Sequence, residues 1–370
     1  MRVALRLTGL LLMGTASGLA GQVSDSTPLS PYKRSLIVLP FLTYAPETRW
    51  QFGAGGGMQF KWPSAARDSL TRPSYAFAAL SYTTRGQWTA GGELLLYTPG
   101  DRWGFLGRFQ GAYFPLTYYG IGPSTERADS NRMENRLIQV ETKALRRITG
   151  RLSVGPYYRL HSFFDIDWQF PASIAPGTPG EAGGVSSGLG LSLQLDARNS
   201  TSTPRRGHLI LVDYLRNASW LGSDFDYDYL VVDARAYLPI WGGRDVVALS
   251  LYGEFNGAEV PIQTMSMLSS ATTQELMRGV YRGRFRDRHE VVFQADYRGH
   301  LKGRFGYVVF GSAGNVFGSG GSQLFDELKF TYGTGIRFNV NPRDPLNIRA
   351  DFALTSFGET GFTLGFSEAF

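Results

Sequence analysis

The sequence predicts an all-β protein, a transmembrane antiparallel β-barrel of sixteen strands, with fourteen or twelve strands as alternative parses. Three observations predict it. Apolar and polar residues alternate with a period of two in segment after segment. Charged residues of both signs recur on the polar parity of those segments. No run after the first residues is long and apolar enough to span a bilayer as a helix, although the chain opens as an exported one does.

The period of two puts neighbouring side chains on opposite faces of a strand. In 291–298, Val291, Phe293, Ala295 and Tyr297 fall on one face and Gln294, Asp296 and Arg298 on the other. In 136–144, Ile138, Val140 and Ala144 oppose Gln139, Glu141 and Lys143. In 346–352, Ile348, Ala350 and Phe352 oppose Asn347, Arg349 and Asp351. A soluble sandwich alternates too, but it does not carry charge inward in strand after strand. In a wide barrel those positions line a hydrated lumen. Charged residues make up 18% of the chain, below the roughly 25% of soluble domains, which fits a lipid-facing outer surface.

In chain order, residues 1–20 read as a signal peptide. Arg2 and Arg6 give the basic start, Leu7 to Met13 the apolar run, and Gly18-Leu19-Ala20 the cleavage site. The run is far below the ~20 residues a helical anchor needs. Residues 21–33 form a short polar periplasmic tail and 34–370 the barrel. Expected strands are 34–43, 50–60, 74–84, 88–97, 103–114, 135–145, 151–162, 185–196, 207–216, 226–237, 245–254, 290–300, 304–314, 329–340, 346–355 and 361–370. Short connectors alternate with long ones, as periplasmic turns alternate with outer loops. The even count puts both termini on the periplasmic side. Two connectors fit poorly, 60–74 being long for a turn and 84–88 short for an outer loop.

Cys is absent, so disulfide and thiol chemistry are excluded. The four His residues, 161, 208, 289 and 300, are scattered, and no catalytic residue, metal ligand or cofactor site is expected. Asp224, Asp226 and Asp228 match the start of a calcium loop only loosely, without its Gly and distal Glu. The net charge of +6 is too small to suggest a nucleic-acid partner.

Five C-terminal segments form an ordered set: Leu276-Met277-Arg278-Gly279-Val280-Tyr281, Gln294-Ala295-Asp296-Tyr297-Arg298, Phe310 to Phe317 around Ser312, Gly333-Thr334-Gly335-Ile336-Arg337, and the terminal Gly365 to Phe370. Together they resemble the Omp85 superfamily, specifically its bacterial surface antigen (D15) barrel domain. The resemblance implies sixteen strands, with the motif loop between the eleventh and twelfth. It implies that this sixth outer loop folds into the lumen and that Arg278 meets an acidic cluster on the wall. Met277, Gly279, Val280 and Tyr281 complete the motif, with the aromatic displaced by one place. Asp296 is the expected partner, with Arg298 beside it. Ser312 stands where the family has a second carboxylate, so either the pair is weaker here or Asp287 or Glu290 compensates.

Arg282, Arg284, Arg286 and Arg288 are either a luminal basic rim or ordinary wet-face residues. Phe366 and Phe370 are expected to address the chain to the barrel-assembly machinery, with Phe370 as a lipid-facing or interfacial anchor. The implied function is protein insertion into, or translocation across, the bacterial outer membrane. It would use a weak seam between the first and last strands, near which Pro40 is tolerated. The implied surroundings are outer-membrane lipid and lipopolysaccharide, with a polypeptide client or a periplasmic accessory protein. A passive solute pore and a structural anchoring barrel are the other functions open at this point.

Overall fold

The computed structural model describes residues 35–45, 49–68, 71–113, 115–201, 203–270, 272–340 and 347–370. The expected leader and tail, 1–33, lie outside the described residues. Sixteen long strands run in order: β1 (Ser35–Ala45), β2 (Arg49–Phe60), β3 (Ser74–Thr83), β4 (Trp88–Tyr97), β5 (Trp103–Tyr113), β7 (Asn131–Thr149), β8 (Leu152–Trp168), β9 (Gly184–Asp196), β10 (Gly207–Asn217), β11 (Tyr227–Ile240), β12 (Asp245–Asn256), β15 (His289–His300), β16 (Phe305–Phe317), β17 (Lys329–Asn339), β18 (Asn347–Thr355) and β19 (Thr360–Phe366). Three short ones, β6 (Leu116–Tyr118), β13 (Ser266–Met267) and β14 (Arg286–Asp287), fall between them.

Long strands pair antiparallel with their neighbours in sequence, from β1–β2 through β18–β19. The main sheet holds seventeen strands rather than sixteen, because β6 lies where a loop was expected. β5 and β6 follow one another along the same partner, β7, and are separated at Pro115, which has no N–H for the ladder. The described residues carry no ladder joining β1 to β19.

Most strands lie within a few residues of their expected places. The exceptions are β7 and β8, which run well past 135–145 and 151–162. In the extra length of β7 the outward parity turns to charge at Arg132 and Glu134, and in that of β8 Phe163 interrupts the polar parity, so alternation fades there while pairing continues. Arg136 bridges Asp165 at 2.7 Å and Arg132 bridges Glu134 at 2.9 Å across these projecting ends. The long 61–73 connector is folded onto the next turn. Buried Asp101 accepts from the Arg72 backbone N–H at 2.8 Å, from Arg72 Nε at 2.6 Å and from Arg147 Nη2 at 2.7 Å.

Burial is inverted relative to a soluble protein. Leu36 is 70% exposed, Leu80 64%, Leu191 60% and Ile336 59%, whereas Gln294, Asp296 and Asp351 are at most 1% exposed. One face of the sheet is therefore apolar and outward, and the other polar and enclosed. No described helix is long and apolar enough to cross a membrane. The sheet also curls. Residues between β6 and β7 reach segments beyond β16 and β18: Ser124 Oγ donates to Glu327 at 2.7 Å, and Arg127 Nε donates to Glu359 at 2.8 Å. The apolar core lies on the enclosed side. There Tyr157, Tyr229 and Tyr237 of the wall meet Ile262, Leu268, Met277 and Phe285 of the segment between β12 and β15.

Candidate functional site

That segment, residues 257–288, is the expected motif loop, and it folds back against the inner wall. Its own arms pair, Ser266 with Asp287 and Met267 with Arg286, forming the small β13–β14 ladder. The ladder fixes the direction in which the tip, 273–281, is delivered.

At the tip, the Arg278 side chain has no solvent exposure. Its Nη2 donates to Asp296 of β15 at 2.7 Å and its Nη1 to Asp351 of β18 at 2.9 Å. The guanidinium lies flat over the Phe310 ring of β16 at 3.5 Å. A planar fork suits this site, since two donors diverge to two carboxylates while the face stacks on an aromatic ring. Asp351 also accepts from Arg337 at 2.6 Å and from Arg349 at 3.1 Å. Asp296 also accepts from Gln294 at 2.7 Å and from Arg298 at 3.3 Å. Glu275 of the loop meets Arg349 at 2.5 Å. With Glu368, which meets Arg298 and Arg337, four arginines face four carboxylates. Such buried pairs add little net stability, but losing one member leaves a charge stranded, at about 3–5 kcal/mol. They fix where the loop sits.

Asp296 thus receives Arg278 as expected. The second carboxylate is a correction: it is Asp351, not Asp287 or Glu290. Asp287 accepts from the Arg288 and Ser319 backbone N–H groups at 2.7 and 2.9 Å, and so ties down the loop after β16. Glu290 accepts from Thr273 Oγ1 at 3.0 Å, and opposite it Glu254 accepts from Ser266 Oγ at 3.1 Å. Glu254 thus holds an arm of the loop, and Glu290 holds Thr273 where the tip begins. Ser312 stands opposite Gln294 and its Oγ has no partner in the cluster. The inward parity of Asp351 was visible in sequence. Its pairing with a residue seventy-three positions away was not.

Gly279 adopts φ +94, and a Cβ there would lie 3.1 Å from the Ala353 Cβ. A Cβ on Gly361 would come within 2.6 Å of the Gly279 Cα. Two glycines therefore let the tip press on β18 and β19. Met277 and Val280 are buried in the core. Tyr281, the displaced aromatic, stacks edge-on against Tyr119 at 6.1 Å, and its backbone N–H donates to Glu359 at 3.4 Å.

The arginine run is not a rim of free cations. Arg284 Nη1 donates to Thr125 Oγ1 at 2.9 Å, Arg286 to the Ile262 carbonyl at 2.8 Å, and Arg288 to the Gly318 carbonyl. Two of the four staple the loop to its surroundings, and Arg286 ties the loop's own arms together. Burial pushes the Arg286 guanidinium down to about 10, so it remains charged at neutral pH. Arg282 alone of the four is exposed.

The C-terminus supplies the second correction. Phe370 does not face lipid. β19 ends at Phe366, whose backbone pairs with Ile348 and whose side chain lies outside the described residues. Ser367 turns the chain through φ +64, and Phe370 is 5% exposed, its ring 6.2 Å from Tyr237. Arg298 lies 4.9 Å from that ring and donates to the Phe370 carbonyl at 3.0 Å. Glu368 explains the turn. On the outward parity its carboxylate would meet hydrocarbon; turned inward it accepts from Arg337 Nε at 2.8 Å and from Asn347 Nδ2 at 2.7 Å. The arginines around it hold its carboxyl below the usual range.

Asp224, Asp226 and Asp228 bond separately, to the Val185 N–H, the Ser219 N–H and the Tyr214 hydroxyl. Among the described residues no group of three or more His, Cys, Asp or Glu side chains could hold a metal ion.

Comparison with known proteins bears on the fold. No protein-family model matches the chain, and no curated protein sequence does. Two solved structures are similar. BamA from Haemophilus ducreyi lacking POTRA domains 1–3 aligns with a TM-score of 0.59 at 13% identity, over 90% of this chain and 70% of that one. CdiB from Acinetobacter baumannii aligns with a TM-score of 0.56 at 11% identity, over 90% of this chain and 65% of that one. The chain therefore shares the fold of these two proteins and spans about two thirds of their length.

Proposed function

We propose that the sheet closes into a barrel in the bacterial outer membrane, both termini periplasmic. We further propose that the chain is an Omp85-like translocator, inserting proteins into that membrane or passing them across it. On this reading residues 1–20 are removed on export, 34–370 form the barrel, and Phe366 and Phe370 serve as the assembly signal. Clients would enter at the seam between β1 and β19, and the latched loop would control the lumen.

The observation that carries this reading is the fork of Arg278 between Asp296 and Asp351. A loop held in the lumen by a buried charge cluster is a two-position element: docked with every charge paired, or released with the cluster rearranged. A passive pore has no use for such a plug. The similarity of fold to BamA and CdiB supports the same reading.

Photocrosslinkers placed at outward Leu36, Val38 and Leu364 in cells test it. Adducts to other barrel proteins or to secreted chains are expected. Adducts confined to lipid or to the protein itself would mean a sealed seam and end the translocator reading.

A further inference from the structure

The two ends of the strands differ in the charge they expose. At the end holding the start of β1 and the finish of β19, the connectors expose Arg102, Arg151, Arg206, Arg244, Lys302 and Arg304. Among the described residues, no acidic side chain of this end is exposed. Asp101, Asp196 and Asp245 are all engaged, by Arg72 and Arg147, by Arg198, and by Tyr297. The opposite end is mixed, exposing Glu126, Asp129, Asp165, Asp226, Glu259 and Glu327 alongside Arg85, Arg127, Arg132 and Arg216. The overall charge of +6 hides this difference.

The basic end has a second feature. Large aromatic side chains stand outward beside the cations, in the same connectors or at their edges. Trp62 is 40% exposed, Trp103 37%, Trp241 69% and Phe305 50%. Arg102 precedes Trp103, Arg244 follows Trp241 by three residues, and Arg304 precedes Phe305. The Arg146 guanidinium lies 5.8 Å from the Trp103 ring. Aromatic rings sit at the headgroup level of a bilayer, and cations at that level draw anionic lipid. An acidic soluble protein docking end-on would be met by the cations alone and would leave the outward rings unused.

We propose that this rim binds anionic phospholipid headgroups of the periplasmic leaflet, enriching them around the barrel base. The proposal rests on the membrane-barrel reading with periplasmic termini. It adds a lipid class and a leaflet.

The test refolds the full chain into vesicles of phosphatidylcholine, alone or mixed with phosphatidylglycerol, and reads retained lipid by native mass spectrometry. The wild type should enter both vesicles and retain phosphatidylglycerol selectively. Replacing Arg102, Arg151, Arg206, Arg244, Lys302 and Arg304 by Gln should lower that enrichment roughly tenfold or more while insertion persists. Should the sixfold variant not fold, added salt should reduce retention by the wild type, since exposed charges are screened within about a Debye length. Neutralising Glu126 and Asp129 at the other end should change nothing. A wild type that inserts yet retains both lipids equally would overturn the proposal and leave the rim to an acidic periplasmic protein. A wild type that enters neither vesicle would remove the membrane reading, and the proposal with it.

Discussion

The wall from β1 to β5 and the wall from β15 to β19 are built on the same alternation but differ inside. The first presents mostly neutral groups, Gln51 donating to Ser81 at 2.8 Å and Thr83 to Gln87 at 2.9 Å, with one ion pair, Arg108 to Glu93 at 2.5 Å. No residue of β1–β5 belongs to the core that packs the loop. The second presents arginines and carboxylates that grip the loop tip and the chain end together. Arg298 reaches both Asp296 and the Phe370 carbonyl, and Arg337 reaches both Asp351 and Glu368. A sheet can thus be uniform in backbone and uneven in what its inner face holds. Here the grip is concentrated on β15 to β18 and the chain end, beside the β19 edge of the sheet.

The largest effect should come from Arg278→Ala, which strands Asp296 and Asp351. A loss of about 3–5 kcal/mol is expected, read as a lower unfolding midpoint and as protease cleavage within 273–281. A loop still protected in that variant would dissolve the contrast between the walls. Next, Gly279→Val forces a β-branched residue to φ +94 against Ala353. About 1–3 kcal/mol of strain is expected, with the loop loosened in the same protease assay. Smallest should be Gln51→Ala on the first wall, at about 0.5–1.5 kcal/mol and with the loop still protected. If Gln51→Ala released the loop as Arg278→Ala does, the two walls would not differ as described.

The chain end gives a pH test between these extremes. Glu368 titrates below the ordinary glutamate range when folded. Its docking energy is therefore fully present above the unfolded value and is lost as pH falls through the depressed folded value. The chain has no Cys, so Ala369→Cys gives a single labelling site. Labelling should be slow at neutral pH and rise on acidification below that range. Glu368→Gln should make it fast throughout, and pH-independent slow labelling would contradict the docked tail.

Strand positions were legible because an apolar outward face and a polar enclosed face impose period two on each strand. The Asp296 pairing was legible because parity and motif agreed on one residue. Asp351 was seen as inward but not as a partner, since parity reports a face and not which distant strand the curl brings near. The tail was misjudged for a related reason. Phe370 continues the outward parity of Phe362 and Leu364, and only Glu368, out of place on that parity, hinted that the strand had already ended. The extra lengths of β7 and β8 were hidden because Arg132 and Glu134 on the outward parity, and Phe163 on the polar one, break the pattern of the residues between them.

The most direct measurement is the conductance of the full chain in a planar bilayer, wild type beside Arg278→Ala. A lumen plugged by a latched loop predicts little current from the wild type and stepwise opening in the variant. A steady current from the wild type, unchanged by the substitution, would contradict the latch.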